Sequence, residues 1–310
     1  MSDIVVCCTD GSMVSRDAIA AGLSLLDRER WEVQVVTVVP DVIVDPGMPG
    51  PMPAASFTAG VVVSDPVAAR RQALDTGQEI ATETADHLGL GPESVQVLIG
   101  LAGPAVVEHA RAVGAALVIA GSRGFGGAAR FVLGSVSDHL VRHAPCPVLV
   151  GGEELSMPPA GPVVVCVDGS ERSVRAGAAV VPLLARDLPL AVATVTAPRT
   201  VAAEGAFEEM AERRRAEEAE QILVSAATAL GVPDTEFLSL TGANAADALV
   251  TLAREQPIRA LVIGSRGHGG VVRAVLGSTA DRVLREAPCL VCVVPADRQN
   301  ATPRHSSTVA

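Results

Sequence analysis

The sequence predicts an α/β protein made of two copies of one domain, each an open five-stranded parallel sheet with helices on both faces. Three observations support this fold class. The chain has 310 residues, about twice the common size of a single domain. Its two halves share sequence blocks in the same order, and in each half short runs rich in Val and Ala alternate with helix-like segments. Such alternation with short connections is typical of a parallel sheet covered on both faces.

Matching blocks establish the duplication. VIAGSRGFGGAARFVLGSVSDHLVRHAPCPVLV begins at Val118, and VIGSRGHGGVVRAVLGSTADRVLREAPCLVCVV begins at Val262. Earlier in each half, VCCTDGS begins at Val6 and VCVDGS begins at Val165. The first half carries about 15 extra residues between its blocks, and we assign them to the Pro-, Gly- and Met-rich segment 40–65. We therefore predict a first domain at 1–152, a second at 161–297, and a flexible tail at 298–310.

The elements follow one another in a repeated order. In the first half we expect strands at 4–8, 33–39, 95–99, 116–120 and 147–150, and helices at 12–28, 65–89, 104–113 and 135–143. Ser12 is a candidate N-cap for the first helix, and Asp65-Pro66 supplies a cap and a first-turn proline for the second. The second half repeats this order, with a long helix at 204–230 that ends before Gly231.

The charge composition excludes several functions. All 24 basic residues are Arg, and 35 acidic residues bring the net charge to −11. Without Lys, a Walker-type phosphate loop, a protein-kinase site and a pyridoxal Schiff base are excluded. The negative charge argues against nucleic acid as a partner. No run of 18 apolar residues lacks charge or Pro, and the N-terminus does not resemble a signal peptide, so we expect no membrane contact and a cytoplasmic location.

The six cysteines lie in apolar, strand-like runs. Cys289 and Cys292 have the CxxC spacing of metal or redox sites. On a strand, however, residues three apart point to opposite faces of the sheet. We expect buried and inert thiols.

Glycines cluster after the fourth strand of each half. In the first half Gly121-x2-Gly124 is followed by nine residues and then by Gly134-Ser135, and the second half repeats this spacing from Gly264 to Ser278. A Gly-Ser pair at the start of a helix offers free N–H groups and the positive dipole end, which favour phosphate. The spacing is not GxGxxG, so a dinucleotide site is not indicated. A structural turn inherited by both copies is the alternative explanation.

On these motifs both halves resemble universal stress protein domains, and the chain resembles a tandem member of that family. The family's nucleotide-binding signature, G-x2-G-x9-G-[S/T], is complete in both copies. The resemblance implies a five-stranded parallel sheet with helices on both faces. It also implies that the cofactor is ATP, held together with a divalent metal that we take to be Mg²⁺.

The resemblance also implies roles for single residues. Asp10 and Asp168 are expected to contact the adenosine, and Val38 and Val195 to line the adenine pocket. The residues implied to pass close to ribose and phosphates are Gly121, Gly124, Gly264 and Gly267. Those implied to hold the phosphates are Gly134, Ser135, Gly277 and Ser278, helped in the first half by Ser137. The counterpart of Ser137 is Ala280, a departure that removes one hydroxyl from the second half.

Positive charge near the phosphates must come from Arg or from metal, because the chain has no Lys. Arg123 matches Arg266 in the two GSRG turns, and Arg130 matches Arg273 inside the nine-residue stretch. The planar guanidinium presents a donor fork suited to phosphate oxygens. Solvated loop charges are the alternative for each pair.

These features favour an ATP-binding regulatory protein of the stress response, which reports nucleotide state through its conformation or through partner binding. A slow metal-dependent ATP hydrolase and an interaction module without nucleotide are the alternatives. We see no duplicated general base or nucleophile near the phosphate loop, so we assign no catalytic residue and no metal ligand.

The two halves are expected to form an internal pseudo-dimer along their final strands, because an apolar edge strand needs covering. A protein partner and a homodimer are left open.

Overall fold

A computed structural model describes residues 3–27, 29–41, 65–123, 133–152, 155, 160–196, 206–266 and 276–295. The predicted tail 298–310, most of the segment 40–65 and most of the linker between the halves lie outside these residues.

Within the described ranges each half contributes five strands and four α-helices. The first half forms β1 (Asp3–Cys8), α1 (Met13–Leu23), β2 (Trp31–Val39), α2 (Pro66–His87), β3 (Val95–Ile99), α3 (Ala102–Ala112), β4 (Leu117–Gly121), α4 (Ser135–His143) and β5 (Val148–Gly151). The second half forms β6 (Val163–Cys166), α5 (Glu171–Val180), β7 (Leu190–Thr196), α6 (Ala206–Leu230), β8 (Glu236–Thr241), α7 (Ala245–Glu255), β9 (Ala260–Gly264), α8 (Ser278–Glu286) and β10 (Leu290–Val294). Short 3-10 turns occur at Pro92–Ser94 and Val181–Leu183.

The strands join into one ten-stranded sheet with the order β3-β2-β1-β4-β5-β10-β9-β6-β7-β8. Pairing is parallel inside each half, as in the contact of β1 with β2 and β4. The junction is the antiparallel pair β5 and β10, in which Leu149 lies opposite Cys292. The predicted fold class is confirmed, and the two final strands pair along the edge that the sequence indicated.

Alternation along the strands divides the core into two layers. Val5 and Cys7 belong to the layer covered by α1, α2, α5 and α6, and Val6 and Cys8 to the layer covered by α3, α4, α7 and α8. Two such layers explain why inner strands such as β4 and β10 are apolar throughout, since a strand buried on both faces has no polar side.

The predicted separation of the CxxC cysteines is confirmed. Cys289 packs in the layer of α7 and α8, whereas Cys292 packs in the layer of α1 and α5. None of the six cysteines, all of which lie in the described ranges, forms a disulfide. Burial raises the pKa of the Cys8 and Cys289 thiols to about 12, so these thiols are protonated and unreactive at neutral pH.

Helix α1 ends at Leu23 and not near residue 28 as predicted. The following residues leave the helix because they contact the other half. The carbonyl oxygen of Leu25 accepts a hydrogen bond of 2.9 Å from the amide of Ala185, and Leu26 forms an antiparallel bridge with Leu184. Tertiary contact thus overrides local helix preference here.

A search of the described residues finds no helix whose length and apolarity would allow it to cross a membrane.

Candidate functional site

A cavity of about 1040 Å³ opens at the carboxyl edge of the first half's strands. Ligands of parallel α/β sheets bind at this edge. Its floor is formed by the ends of β1, β2 and β4, one wall by α2, and another by the start of α4. The predicted site residues that line it are Asp10, Val38, Gly121, Arg123, Gly134, Ser135 and Ser137. The structure therefore brings together seven first-half residues that are far apart in the sequence.

The start of α4 is open toward this cavity. Gly134 is the N-cap residue and, having no side chain, leaves the first turn without a side-chain cap. Its own amide donates to the carbonyl oxygen of Ser122 at 2.7 Å. The N–H groups of the next residues have no partner within the helix and can bind an anion. Gly277 caps α8 in the same way and donates to Ser265 at 2.8 Å.

Gly121 marks a close approach between β4 and α1. A Cβ atom placed on Gly121 would lie 3.0 Å from the Cα atom of Ser15 and 3.1 Å from its nitrogen. Because both neighbours are backbone atoms, neither can give way easily. The glycine is therefore required to seat the end of β4 against α1.

Asp10 and Asp168 are held rigidly by the helices that follow them. The Asp10 Oδ1 atom accepts from the Ser12 amide at 3.1 Å and from the Ser12 hydroxyl at 2.6 Å. The Asp168 Oδ1 atom accepts from the Ser170 amide and hydroxyl at 3.0 and 2.6 Å. Asp10 is half-buried and lines the cavity, whereas Asp168 is exposed. Equivalent carboxylates thus lie in environments of different accessibility.

Val38 and Val195 occupy equivalent positions near the ends of β2 and β7. Both are half-buried and pack on the layer that contains α3 and α7. Val38 lines the first cavity. Their placement agrees with an apolar wall for a flat aromatic ring.

Ser137 lines the first cavity, and its hydroxyl also has a partner within the chain. Only 3% of the residue is exposed, and its hydroxyl donates to the carbonyl oxygen of Gly121 at 2.5 Å. The hydroxyl hydrogen is therefore used to fasten α4 to β4. Ala280, the counterpart in α8, is also buried and makes no such bond. Ser135, in contrast, is exposed at the helix start and free to face a ligand.

The predicted arginines are only partly located. Arg123 lines the first cavity directly after β4, and Arg266 is half-buried at the equivalent position after β9. Gly124, Arg130, Gly267 and Arg273 lie outside the described residues, and their roles stay predictions. In the second half Gly264, Gly277 and Ser278 end β9 and begin α8, as expected for the repeat.

The sequence reasoning missed a buried hydroxyl cluster beneath the first site. The Thr9 hydroxyl oxygen lies 3.0 Å from that of Thr84 on α2 and 3.2 Å from that of Ser15 on α1. It also accepts from the Gly11 amide at 3.0 Å. The cluster connects the end of β1 to α1 and α2, the two first-half helices of one layer. The sequence does contain a signal for this cluster. When VCCTDGS is aligned with VCVDGS, Thr9 of the first half corresponds to Val167 of the second, so the hydroxyl is present in only one copy.

Helix α2 is a second missed contributor. Its cavity-facing residues are Ala69, Gln72, Ala73, Thr76, Gly77 and Ile80. Equivalent positions of α2 and α6 can be matched from the ends of the two helices. The amide of Leu90 donates to the carbonyl oxygen of Ala85 and that of Val232 to Ala227, both at 2.9 Å. With this match, Arg215 of α6 is the counterpart of Ala73 of α2. The second half thus presents a long cation where the first presents a methyl group.

Among the described residues no group of three or more His, Cys, Asp or Glu side chains could hold a metal ion. Magnesium in nucleotide sites is usually bound by phosphate oxygens, several waters and one or two carboxylates. Among the described residues the carboxylate of Asp10 lines the first cavity, and no separate all-protein cage is formed.

Comparison with known proteins gives a consistent family match. The model of the universal stress protein family matches the chain twice, over residues 1–150 and 160–295. The chain is 35% identical over 175 residues to universal stress protein Rv1996 of Mycobacterium tuberculosis, covering 54% of this chain and 55% of that protein. It thus spans about half the length of that curated relative.

Two further comparisons extend over more of the chain. The identity to universal stress protein Rv2623 of Mycobacterium tuberculosis is 28% over 238 residues, covering 72% of this chain and 75% of that protein. The crystal structure of a universal stress protein from Archaeoglobus fulgidus aligns with a TM-score of 0.61 at 20% identity, covering 96% of this chain and 99% of that one. This likeness shows a shared fold.

Proposed function

The chain belongs to the universal stress protein family and is a tandem member, and on this basis we propose that it is an ATP-binding regulatory protein whose nucleotide state controls its conformation or its binding of a partner protein. The observation that carries the proposal is the first-half cavity at the strand ends, into which an uncapped helix start opens. The second half repeats the uncapped start at α8.

The phosphate end of the site rests on backbone donors. Residues Ser135 and Val136 line the cavity at the first turn of α4, where N–H groups and the helix dipole favour an anion. Ser135 adds a hydroxyl donor. Arg123 brings a positive charge to the same cavity. This set replaces the Lys on which other phosphate loops depend.

The adenosine end rests on Val38 and Asp10. Val38 offers an apolar surface on the cavity floor, and the Asp10 carboxylate is fixed at the end of β1 by Ser12. A carboxylate accepts hydrogen bonds from a ribose hydroxyl or an adenine amine and repels phosphate. The polarity of the cavity therefore sets the direction in which ATP would lie, with its phosphates toward α4.

Magnesium would supply further neutralisation of the triphosphate when it is bound. The phosphates and water would provide most of its ligands, since the described residues hold no three-ligand cluster. The residues of the chain would then act by orienting the nucleotide: Gly134 and Ser135 at the phosphates and Asp10 at the sugar.

The bound nucleotide content of the purified protein tests this proposal. The protein is purified without added nucleotide, its contents are released by heat or acid, and the released compounds are separated by chromatography. Recovery of ATP, with rebinding of added Mg²⁺-ATP, supports the regulatory proposal. Recovery of ADP together with measurable turnover would replace it with the hydrolase alternative, and neither recovery nor rebinding would overturn it.

Matched variants test the residue assignment. Asp10→Glu moves the carboxylate outward and breaks its fixed geometry at Ser12, so we expect at least a tenfold loss of ATP affinity at the first site. Asp168→Glu makes the same change in the second half. The assignment is wrong if the double variant binds ATP with the affinity and stoichiometry of the unaltered chain.

A further inference from the structure

Two histidines lie against each other on α4, apart from the nucleotide cavity. The ring centroids of His139 and His143 are 4.4 Å apart, with 37° between the ring planes. Neither residue lines the cavity. His139 packs on α3, where a Cβ placed on Gly103 would lie 2.8 Å from the His139 Cβ, and His143 is exposed. The pair therefore has one side supported by protein and one side open to solvent.

We propose that His139 and His143 form a binding site for a divalent transition-metal ion of the Zn²⁺ class, with water completing the coordination. Side chains four residues apart project from the same face of a helix, and a histidine pair with this spacing is a known zinc-ligand arrangement. Two imidazoles bound to one ion at about 2.1 Å, with an angle of about 90 to 110° between them, have centroids roughly 4.6 to 5.3 Å apart. The observed separation falls just short of this range.

The surroundings of His139 favour the neutral form of that ring, and the end of α4 favours a positive charge. Burial of His139, and next the neighbouring His143, lower the pKa of His139 from its ordinary value, so this ring is neutral at neutral pH. Neutral imidazole is the form that binds metal. His143 is the last residue of α4, where the helix dipole favours a cation.

Neighbouring groups do not compete for the ion. Asp138 is engaged by Arg142 through two hydrogen bonds of 2.8 and 2.9 Å. The cysteines at the described positions are buried or half-buried thiols, and burial raises the pKa of Cys8 to about 12. These thiols are therefore not available as thiolate ligands for an added ion.

The second half provides a natural control for this site. On α8 the equivalent residues are Arg282 and Glu286, whose Nε and Oε1 atoms form an ion pair at 3.0 Å. The same two helix positions thus accept a charged pair that cannot chelate a metal. The double variant His139→Arg/His143→Glu copies this arrangement into α4 and is expected to keep the fold.

The experiment is calorimetric titration with ZnCl₂ of the full chain after any co-purified nucleotide has been removed, in buffer without phosphate or chelator. We expect one Zn²⁺ per chain at this pair, and a loss of affinity of at least tenfold in the double variant. His109→Gln is the matched control and should bind as the unaltered chain does, because His109 lies on α3 and contacts Gln34 at 2.9 Å.

Lowering the pH should weaken zinc binding by the unaltered chain, because protons compete for the imidazole nitrogens. The proposal is overturned if the unaltered chain does not bind Zn²⁺ or if the double variant binds it equally well. Should the double variant fail to fold, the exposed substitution His143→Gln decides in the same way. Because no nucleotide is present, the outcome is independent of the function proposed above.

Discussion

The amide of Gly134 donates to the carbonyl oxygen of Ser122 at 2.7 Å, and this bond joins the two ends of the segment that connects β4 to α4. The second half repeats it between Gly277 and Ser265 at 2.8 Å. The first turn of α4 or α8 is therefore held beside the strand it follows. This arrangement keeps the helix N-termini directed at the strand ends, where a phosphate can reach them.

The hydroxyl of Thr9 is predicted to stabilise the first domain. Thr9→Val removes an acceptor for the Gly11 amide and a partner of Thr84, and a buried hydrogen-bonding group left unpaired costs about 1–3 kcal/mol. We expect a loss of about 1–2 kcal/mol in unfolding free energy, measured by urea denaturation. Val167→Thr is the reverse change, and its hydroxyl meets Ser173, which takes the place of Ser15, but Ala226 takes the place of Thr84, so we expect a smaller change in stability than at Thr9. Equal stability of Thr9→Val and the unaltered chain would refute the role of the cluster.

Ser137 is predicted to contribute to stability and little to nucleotide affinity. Its hydroxyl is committed to the Gly121 carbonyl oxygen, so Ser137→Ala should lower the unfolding free energy by about 1 kcal/mol. ATP affinity at the first site should change less than threefold. Ser135→Ala is the comparison, because that hydroxyl is exposed at the start of α4 and its loss should weaken ATP binding more. The opposite order of the two affinities would support Ser137 as a phosphate ligand.

The wall formed by α2 is predicted to control the space for ligand in the first site. Ala73 lines the cavity, so Ala73→Arg should fill part of it and weaken ATP binding about tenfold, a change of about 1.4 kcal/mol. Ala68→Arg is the control on the same helix, because Ala68 is exposed and does not line the cavity. Calorimetric titration with ATP measures both. Equal affinities would show that α2 does not border the bound nucleotide.

The ion pair of Asp281 with Arg285 on α8 is predicted to contribute to the free energy of unfolding at neutral pH and to lose this contribution in acid. The hydrogen bond from Arg285 lowers the pKa of Asp281, and the charge of Arg142 on α4 acts in the same direction. A lowered folded-state pKa gives stability that is present above the unfolded value of about 4 and is lost as the pH falls through the folded value. The pair is partly exposed, so Asp281→Asn should cost only about 0.5 kcal/mol at pH 7.

Urea denaturation of both proteins at neutral pH and near pH 3 measures this difference. It should shrink toward zero in acid, where the unaltered Asp281 becomes protonated. A difference that is the same at both pH values would contradict the assigned cause.

The sequence predicted α4 and β3 with the bounds that the structure shows. The start of α4 was predictable because the Gly-Ser pair marks it in both halves. The bounds of β3 were predictable because it is a short, mostly apolar run between turns. The predicted end of α1 was wrong because Leu25 and Leu26 contact the other half. Local helix preference cannot reveal such a contact.

Some residues of the candidate site were predictable from the sequence, and others become apparent only in the folded structure. Gly121, Gly134 and Asp10 stand in repeated motifs, so the two copies marked them. Thr9 and Thr84 are 75 positions apart, and only the folded layer shows that their hydroxyls meet. The commitment of Ser137 to a backbone carbonyl likewise depends on the packing of α4 against β4.

The central claim is that each half holds the phosphates of ATP at an uncapped helix start. The most direct measurement is a crystal structure of the chain grown with a non-hydrolysable ATP analogue and Mg²⁺. We expect phosphate oxygens within hydrogen-bond distance of the Ser135 amide in the first half and of the Ser278 amide in the second. Nucleotide bound elsewhere, or both helix starts without it at saturating concentration, would show that these helix starts do not hold the phosphates.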